Sequence, residues 1–345
     1  MTDSAALIEK AEASASLTRA EAEALMEELL SGRLETPAIV RLLVALSLRP
    51  VTIAELAGFA NTMRRHAAPV FAPGEARPEN LVDTCGTGGD ASGTFNISTA
   101  AAFVAAAAGA HVAKHGNRST SSHSGSADVL EALGIRIDLP MQQAGQAIRE
   151  VGIGFLFAPV AHAAARHAVP ARKQIGRRTV FNLLGPLTNP AGAETQLLGV
   201  FAEDALDPVA ATLLELGAKR AFVVHGCGLD EISLAGETSI TEVRDGRIRK
   251  FTVTPEEFGV ARAPLAALRG GTPQENAALI RGIFEGHQGA PRDVVVVNAA
   301  AALVVAGVAK DFRSGAQLAV ETIESGRALA KLEQLRSFVS NCSAP

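Results

Sequence analysis

A glycine-rich segment near residue 83 carries the clearest chemistry in the chain. It reads DTCGTGGD over residues 83–90 and directly follows a short apolar run. Glycines permit positive φ angles and close approach, so that successive backbone N–H groups can converge on an anion. The next segment, residues 95–100, opens an Ala-rich helix whose N-terminus would add free N–H donors and a favourable dipole. The pattern therefore predicts a phosphate site.

Asp90 closes this glycine segment. A carboxylate would repel a bare phosphate, which suggests that a metal ion or sugar hydroxyls belong to the same ligand. We therefore expect a phosphorylated sugar bound with Mg²⁺.

A second polar segment, KHGNRSTSS, occupies residues 114–122. Every residue in it except Gly116 can donate a hydrogen bond. Loops that follow strand C-termini line the ligand crevice of an open α/β sheet, so this segment should face the glycine segment. A solvated surface loop is the alternative, but two or three cations and four hydroxyls without an acid favour ligand binding.

Two further charged groups are candidates for the same site. Asp230 and Glu231 follow a predicted strand and turn, where they could hold Mg²⁺, although such a pair alone is usually a solvated turn or a helix start. A basic block of Arg172, Lys173 and the pair at 177–178 is usually a solvated helix face. It could instead supply a guanidinium to a substrate carboxylate.

Three histidines and three cysteines have simpler interpretations. His123, His162 and His167 are each more often structural or exposed than catalytic when considered singly. The cysteines, at 85, 227 and 342, are far apart without metal-type spacing, which fits reduced thiols.

The N-terminal 68 residues predict a small helical unit. Capping-box patterns begin at Thr18 and Thr52, and Thr36 precedes a proline suited to the first helical position. The stretch 69–78 is rich in Pro, Gly and Ala and predicts a linker. A helical, Arg-rich stretch between residues 170 and 190 could pack against the N-terminal helices.

From residue 81 onward, short apolar runs alternate with helical patterns, which indicates a largely parallel sheet flanked by helices. Asp245-Gly246 predicts a hairpin turn within 241–253, and Thr254-Pro255 predicts the start of a helix. Strands are expected at 81–83, 111–113, 154–157, 221–224 and 293–297.

Composition limits the class of protein. The 345 residues are 48% hydrophobic and 20% charged, as in an ordinary soluble α/β enzyme, and the net charge of −4 disfavours nucleic-acid binding. The first ten residues lack a basic region followed by an apolar stretch, and no apolar run reaches the roughly 20 residues of a membrane span. We expect a cytoplasmic protein that does not bind membranes.

Six motifs together resemble the anthranilate phosphoribosyltransferase family of tryptophan biosynthesis: DTCGTGGD, TFNIST, KHGNRS, SGSADVLEALG, FNLLGPLTNP and VVHGCGLDEIS. The resemblance implies an α/β fold, with a small all-helical domain, a larger α/β domain with a mostly parallel central sheet, and a ligand site at the hinge. The helical domain would comprise 1–70, joined by about 170–190, and the α/β domain 71–169 and 191–345. A homodimer through the helical domain is expected.

The resemblance also implies roles for individual residues. Two Mg²⁺ ions are expected, one at Ser98 and the other at Asp230 with Glu231. Anthranilate would contact Gly86, Asn117, Arg172, His115 and His162. The residues expected to bind 5-phosphoribosyl 1-diphosphate are Gly86, Gly89, Asp90, Thr94, Asn96, Ile97, Ser98, Thr99, Lys114, His115, Gly116, Asn117, Arg118, Ser119, Thr120, Ser121, Ser122 and Ser126.

The implied reaction transfers the phosphoribosyl group to the amine of anthranilate, giving N-(5-phosphoribosyl)anthranilate and diphosphate, with no assigned general base. One departure from the family concerns the acceptor, because residues 162–166 read HAAAR where the family often has His-Pro-Ala-Met-Lys. The smaller residues could widen the acceptor channel. The alternatives are transfer to another aromatic amine, an activity like that of a pyrimidine nucleoside phosphorylase, or a paralogue that binds nucleic acid or acts as an interaction module.

Overall fold

The computed structural model describes residues 3–90, 92–119 and 124–342. Its N-terminal part consists of four helices, α1 (Ser4–Glu12), α2 (Arg19–Leu30), α3 (Thr36–Ser47) and α4 (Ile53–Arg65). The capping boxes predicted at Thr18 and Thr52 are both present. In contrast, α3 begins one residue earlier than predicted, with Glu35 as its N-cap and no side-chain cap bond. The proline fits there because the N–H groups of the first helical turn have no partner within the helix.

Seven strands form one sheet in the order β3-β2-β1-β4-β5-β6-β7. The first five in this order are parallel to one another, and β6 and β7 form the predicted antiparallel hairpin at the edge. The C-terminal ends of β1 and β2, where the two polar segments lie, therefore meet at one edge of the sheet. The strands are β1 (Leu81–Gly86), β2 (His111–Gly116), β3 (Ile153–Phe157), β4 (Thr195–Gly199), β5 (Arg220–Gly226), β6 (Thr238–Arg244) and β7 (Arg247–Val253).

Helices cover both faces of the sheet. Leu197 and Leu198 are neighbours in β4 that belong to two different hydrophobic clusters, one on each face. The remaining helices are α5 (Ile97–Ala107), α6 (Ser126–Ala132), α7 (Met141–Glu150), α8 (Ala158–Ala161), α9 (Val169–Ile175), α10 (Phe181–Leu187), α11 (Leu206–Glu215), α12 (Pro273–Phe284), α13 (Ala290–Val305), α14 (Phe312–Glu324) and α15 (Arg327–Asn341).

The stretch 170–190 contributes α9 and α10, which pack on α3 and α4 respectively. Ala171, Phe181 and Leu184 share one hydrophobic cluster with residues of the four N-terminal helices. None of the helices in the described ranges is long and apolar enough to cross a membrane. All three cysteines are free.

Three local predictions were wrong. Residues 293–297 lie in the helix α13 and not in a strand, because a short apolar run fits a fully buried helix as well as a strand. Strand β4 was missed in a short segment with only two large apolar residues. Residues 255–258 form a single 3₁₀ turn that Gly259, at φ 80°, terminates, where a new helix was expected.

The boundary of the second polar segment also needs correction. Lys114, His115 and Gly116 belong to strand β2 itself, and only the residues after Gly116 form a loop. Lys114 is consequently a buried strand residue with 3% exposure and not a loop residue.

Candidate active site

A cavity of about 470 Å³ opens at the C-terminal edge of β1 and β2. Its wall includes the glycine segment, the first turn of α5, the end of β2, residues of α8 to α10 and the acidic pair Asp230-Glu231. Every described residue that the family resemblance assigned to the site lines it, whereas Lys173, Arg177 and Arg178 of the basic block do not. Thr120, Ser121 and Ser122, together with His123, lie outside those ranges. His167 does not line the cavity; its ring contacts Gly32 at the end of α2.

The glycine segment folds tightly against the acidic pair. Gly88 and Gly89 have φ angles of 65° and 77°, a conformation that other residues adopt only at a cost in strain. A Cβ at Gly86 would overlap with the Asp230 carboxylate, and one at Gly199 would overlap with the Asp230 carbonyl oxygen. Glycines at 86 and 199 are therefore what allows Asp230 to reach this edge of the sheet.

Both carboxylates of the pair accept backbone hydrogen bonds from the predicted phosphate-binding elements. The Gly88 N–H donates to Oδ2 of Asp230 at 2.8 Å, and the Ser98 N–H donates to Oε1 of Glu231 at 3.0 Å. The donor at the N-terminus of α5 that we expected to be free for a ligand thus already holds an acid of the protein. The two hydrogen bonds join the acidic pair to the glycine segment and to the first turn of α5. In each case the bonded residues are more than 130 positions apart in the sequence.

The electrostatics of the pair favour a cation. Burial raises the pKa of Asp230 to about 7, and the nearby charge of Asp90 adds to this effect. Burial, followed by the charge of Asp230, raises the pKa of Glu231 to about 8. A bound cation would offset the repulsion between these acids.

The described residues contain no group of three or more His, Cys, Asp or Glu side chains arranged to hold a metal ion. Such a group is not required for Mg²⁺, which keeps several waters and is commonly bound by one or two carboxylates plus substrate phosphates. Asp230 and Glu231 fit that description.

Lys114 lies at the floor of the cavity. Its Nζ donates to the Thr84 carbonyl oxygen at 2.6 Å and approaches Ser98 Oγ at 3.4 Å. Burial lowers the pKa of Lys114, while the carboxylate of Asp83 acts in the opposite direction. The Lys114 amine is therefore held by groups of the neighbouring strand β1.

The described part of the second loop has acidic neighbours that the sequence did not reveal. The Arg118 guanidinium pairs with Asp128 at 2.9 Å and with Glu131 at 2.6 Å, both on α6. The segment 114–122 contains no acid of its own, but α6 supplies two acids that pair with Arg118. Asn117 and Ser126 are joined by a hydrogen bond from Ser126 Oγ to the Asn117 carbonyl oxygen at 3.2 Å.

The Asn96 side chain is engaged mainly with the protein. Its Oδ1 accepts from Nδ2 of Asn276 at 3.0 Å and from Oγ of Ser124 at 3.2 Å, and its Nδ2 donates to the Ser124 carbonyl oxygen. Asn276 lies on α12, far away in sequence, and no motif indicated it. This network joins the start of α5 to the end of the second loop.

Two histidine rings that line the cavity meet edge to face. The centroids of His115 and His162 are 5.2 Å apart at 63°. Burial lowers the pKa of His115 to about 3 and that of His162 to about 4, so both rings are neutral at pH 7. Both Nε2 atoms are buried and find no hydrogen-bond partner in the described part of the chain.

Arg172 also lines the cavity. Its guanidinium is 5.2 Å from the Phe181 ring centroid, and burial lowers the pKa of Arg172. Within the described ranges no carboxylate forms a salt bridge with it, which makes it a partner for an anionic ligand. Ala163, Ala165 and Arg166, from the segment that departs from the family pattern, line the same cavity.

Comparisons with known proteins agree with this architecture. Residues 5–67 match the glycosyl transferase family helical bundle domain, and residues 78–329 match the glycosyl transferase family a/b domain. The anthranilate phosphoribosyltransferase of Desulforamulus reducens is 49% identical over 96% of this chain and 95% of its own length. That of Pelotomaculum thermopropionicum is 51% identical over 95% of this chain and 94% of its own length.

Two solved structures extend the similarity to three dimensions. Anthranilate phosphoribosyltransferase from Thermus thermophilus has a TM-score of 0.90 at 47% identity, covering 97% of this chain and 99% of that one. The Saccharomyces cerevisiae enzyme in complex with PRPP and Mg has a TM-score of 0.88 at 27% identity, covering 98% and 99%. The resemblance predicted from the six motifs is confirmed, and this chain belongs to the anthranilate phosphoribosyltransferase family.

Proposed function

We propose that this chain transfers the phosphoribosyl group of 5-phosphoribosyl 1-diphosphate to the amine of anthranilate. This is the reaction for which its relatives are named. The observation that carries the proposal is the composition of one cavity. Its walls contain a glycine segment with a half-buried acidic pair, and also Arg172 with two neutral histidine rings. The first set suits a diphosphate with Mg²⁺, and the second suits an aromatic carboxylate.

The glycine segment, Lys114 and the end of the second loop would hold the diphosphate and ribose. Asp230 and Glu231 would bind one Mg²⁺, and Ser98 would contact a second. The yeast structure with PRPP and Mg supports a metal-bound donor for the family. When bound, Mg²⁺ supplies positive charge to the phosphate oxygens as negative charge builds on the leaving diphosphate.

Arg172 would pair with the anthranilate carboxylate, with His115, His162, Gly86 and Asn117 as further contacts. A guanidinium that is desolvated without an acid partner gains most from a carboxylate ligand. The neutral histidine rings provide flat, uncharged surfaces for the aromatic ring. A second yeast structure contains 4-fluoroanthranilate, which is consistent with an aromatic carboxylate acceptor in this family.

The reaction forms a bond from the anthranilate nitrogen to C1 of ribose and breaks the bond from C1 to the diphosphate oxygen. The nitrogen loses its proton after attack, so no strong base is required, because an aromatic amine is already a neutral nucleophile at pH 7. The residues therefore act by positioning the two substrates and by stabilising charge on the leaving group. No general base is assigned.

The test compares substrate pairs with one protein preparation. 5-Phosphoribosyl 1-diphosphate with anthranilate should give N-(5-phosphoribosyl)anthranilate and diphosphate, identified by mass spectrometry. Pyrimidine nucleosides with inorganic phosphate should give no free base. Phosphate-dependent release of a base would instead support the nucleoside phosphorylase alternative, and turnover only with other aromatic amines would reassign the acceptor.

The organisation of the molecule is part of the proposal. We assign residues 1–70, with about 170–190, to a helical domain and 71–169 with 191–345 to an α/β domain. We further propose a cytoplasmic homodimer formed through the helical domains. The proposal rests on the family resemblance, and Leu48, which is 71% exposed just after the end of α3, offers a surface position in the helical domain at which to test it. Light scattering of the wild type and of Leu48→Asp would test it, with loss of the dimer expected for the variant.

A further inference from the structure

Asn298 is a polar residue at a position where the fold otherwise admits only apolar side chains. It lies in the middle of α13, where every residue from Val294 to Val305 is buried, and it is 0% exposed. Placing an amide in such a position costs free energy unless all of its hydrogen-bonding groups are satisfied. The structure satisfies them by an unusual arrangement.

The Asn298 side chain bonds both backbone groups of Ile232. Its Oδ1 accepts from the Ile232 N–H at 2.9 Å, and its Nδ2 donates to the Ile232 carbonyl oxygen at 2.9 Å. The second proton of Nδ2 goes to the Val294 carbonyl oxygen, also at 2.9 Å. Ile232 is 1% exposed and lies outside the strands, so without this side chain both of its backbone groups would be buried and unpaired.

Ile232 directly follows the acidic pair. On the other side of the pair, Gly199 leaves room for the Asp230 backbone against β4, and a Cβ at that position would overlap with it. Residues 230–232 are thus held at both ends. Asp230 packs closely against β4, and Ile232 forms two hydrogen bonds with Asn298 of α13. A displacement of Ile232 would move the carboxylate of Glu231, its immediate neighbour.

We infer that Asn298 is a positioning residue for the Asp230–Glu231 pair: by fixing the backbone of Ile232 it sets where the two carboxylates meet Mg²⁺ and the donor. This inference rests on the proposed function, which does not itself assign a role to Asn298. It requires no contact between Asn298 and any substrate. Substitution of a residue that orients a metal ligand without touching the metal typically lowers metal affinity or activity by roughly 10–100-fold.

Two variants separate this role from general stability. Asn298→Leu removes all three hydrogen bonds at similar volume, and Asn298→Asp keeps the acceptor for the Ile232 N–H while losing the amide donors. Thr322→Val is the matched control. Thr322 is 0% exposed on the adjacent helix α14, and among the described residues its hydroxyl bonds only the Leu318 carbonyl oxygen of its own helix.

The first measurement is hydrogen exchange of the peptide that contains residues 229–233, on the full chain without ligands. Asn298→Leu should lose protection in that peptide, Asn298→Asp should lose less because it keeps the acceptor for the Ile232 N–H, and Thr322→Val should keep its protection. Should Asn298→Leu fail to fold, Asn298→Asp alone carries the comparison.

The second measurement is calorimetric binding of 5-phosphoribosyl 1-diphosphate over a Mg²⁺ series. The Asn298 variants should need roughly 10-fold or more Mg²⁺ to reach half-saturation of donor binding, whereas Thr322→Val should bind as the wild type does. Wild-type Mg²⁺ dependence of donor binding in Asn298→Asp or in Asn298→Leu would overturn the inference, even if hydrogen-exchange protection or the melting temperature fell. A wild type that binds no donor at any Mg²⁺ concentration would overturn the proposed function itself.

Discussion

The backbone N–H of Ser98 donates a hydrogen bond to Oε1 of Glu231 at 3.0 Å. Ser98 lies in the first turn of α5, and Glu231 follows strand β5, so the bond joins two motifs that are far apart in sequence. It brings the N-terminus of a helix and a half-buried carboxylate to one point in the cavity. That point is where we propose that Mg²⁺ and diphosphate meet the protein.

Loss of either acidic side chain should weaken the response to Mg²⁺. Asp230→Asn and Glu231→Gln each keep the size of the side chain while removing one negative charge. Turnover should fall most at limiting Mg²⁺, by roughly 10–100-fold, and recover in part at high Mg²⁺. Initial rates across a Mg²⁺ titration check this, and rates that fall equally at every concentration would contradict a role as metal ligands.

Removal of the Arg172 guanidinium should act on the acceptor. A hydrogen-bonded ion pair contributes about 1.5–3 kcal/mol, so Arg172→Ala should raise the KM for anthranilate roughly 10–100-fold with a smaller effect on the donor. Lys173→Ala is the control, since Lys173 is an exposed neighbour that does not line the cavity. A change confined to the KM for 5-phosphoribosyl 1-diphosphate would refute the assignment.

The buried histidine His162 should make stability depend on pH in a defined direction. Its pKa falls from 6.5 to about 4 on folding, so between these values the unfolded chain binds a proton that the folded chain does not. His162 therefore lowers the free energy of unfolding as pH falls from 6.5 towards 4, at up to about 1.4 kcal/mol per pH unit. His162→Phe lacks this contribution.

Urea unfolding of the wild type and of His162→Phe at several pH values between 4 and 7 measures the difference directly. The stability of the wild type relative to the variant should decrease as the pH is lowered through this window. Asp230 and Glu231 are present in both chains, so their own titration largely cancels in the comparison. A difference that does not change with pH would mean that His162 is not held neutral in the fold.

Glycine at position 86 should be required for the site and much less for the fold as a whole. In Gly86→Ala the new Cβ would overlap with the Asp230 carboxylate, which must then move. The donor should bind more weakly, and the requirement for Mg²⁺ should increase. Gly86 does not have a positive φ, so the overlap with Asp230 is the effect tested there. Gly74→Ala, in the linker at φ 79° with no heavy atom within 4 Å of the new Cβ, is the control for adding a methyl group away from the site. Equal Mg²⁺ dependence in the two variants would count against this geometry.

Much of the site could be predicted because its residues lie in short motifs with local physical causes. Gly88 and Gly89 do adopt positive φ, and the capping boxes at Thr18 and Thr52 start their helices. Asp230 and Glu231 could not be assigned to a metal from their own sequence, since a pair of acids is usually exposed. Only the family resemblance raised that interpretation above the alternative.

What the sequence could not reveal depends on contacts between distant segments. Asn276 and Asn298 lie in helices without any recognisable motif, and their roles come from the loops that the fold brings to them. Residues 293–297 of α13 were predicted as a strand because four consecutive valines have no periodicity that distinguishes a helix from a strand. Lys114 was predicted to lie in a loop after the strand. Parallel pairing with β3 instead extends β2 to Gly116.

The central claim is that one cavity unites a Mg²⁺-bound phosphoribosyl donor with anthranilate. It is tested most directly by following anthranilate fluorescence after addition of 5-phosphoribosyl 1-diphosphate, with and without Mg²⁺, in a protein that contains no Trp or Tyr to interfere. The account predicts a loss of fluorescence that requires both the donor and Mg²⁺. Unchanged fluorescence with saturating donor, anthranilate and Mg²⁺ would contradict it.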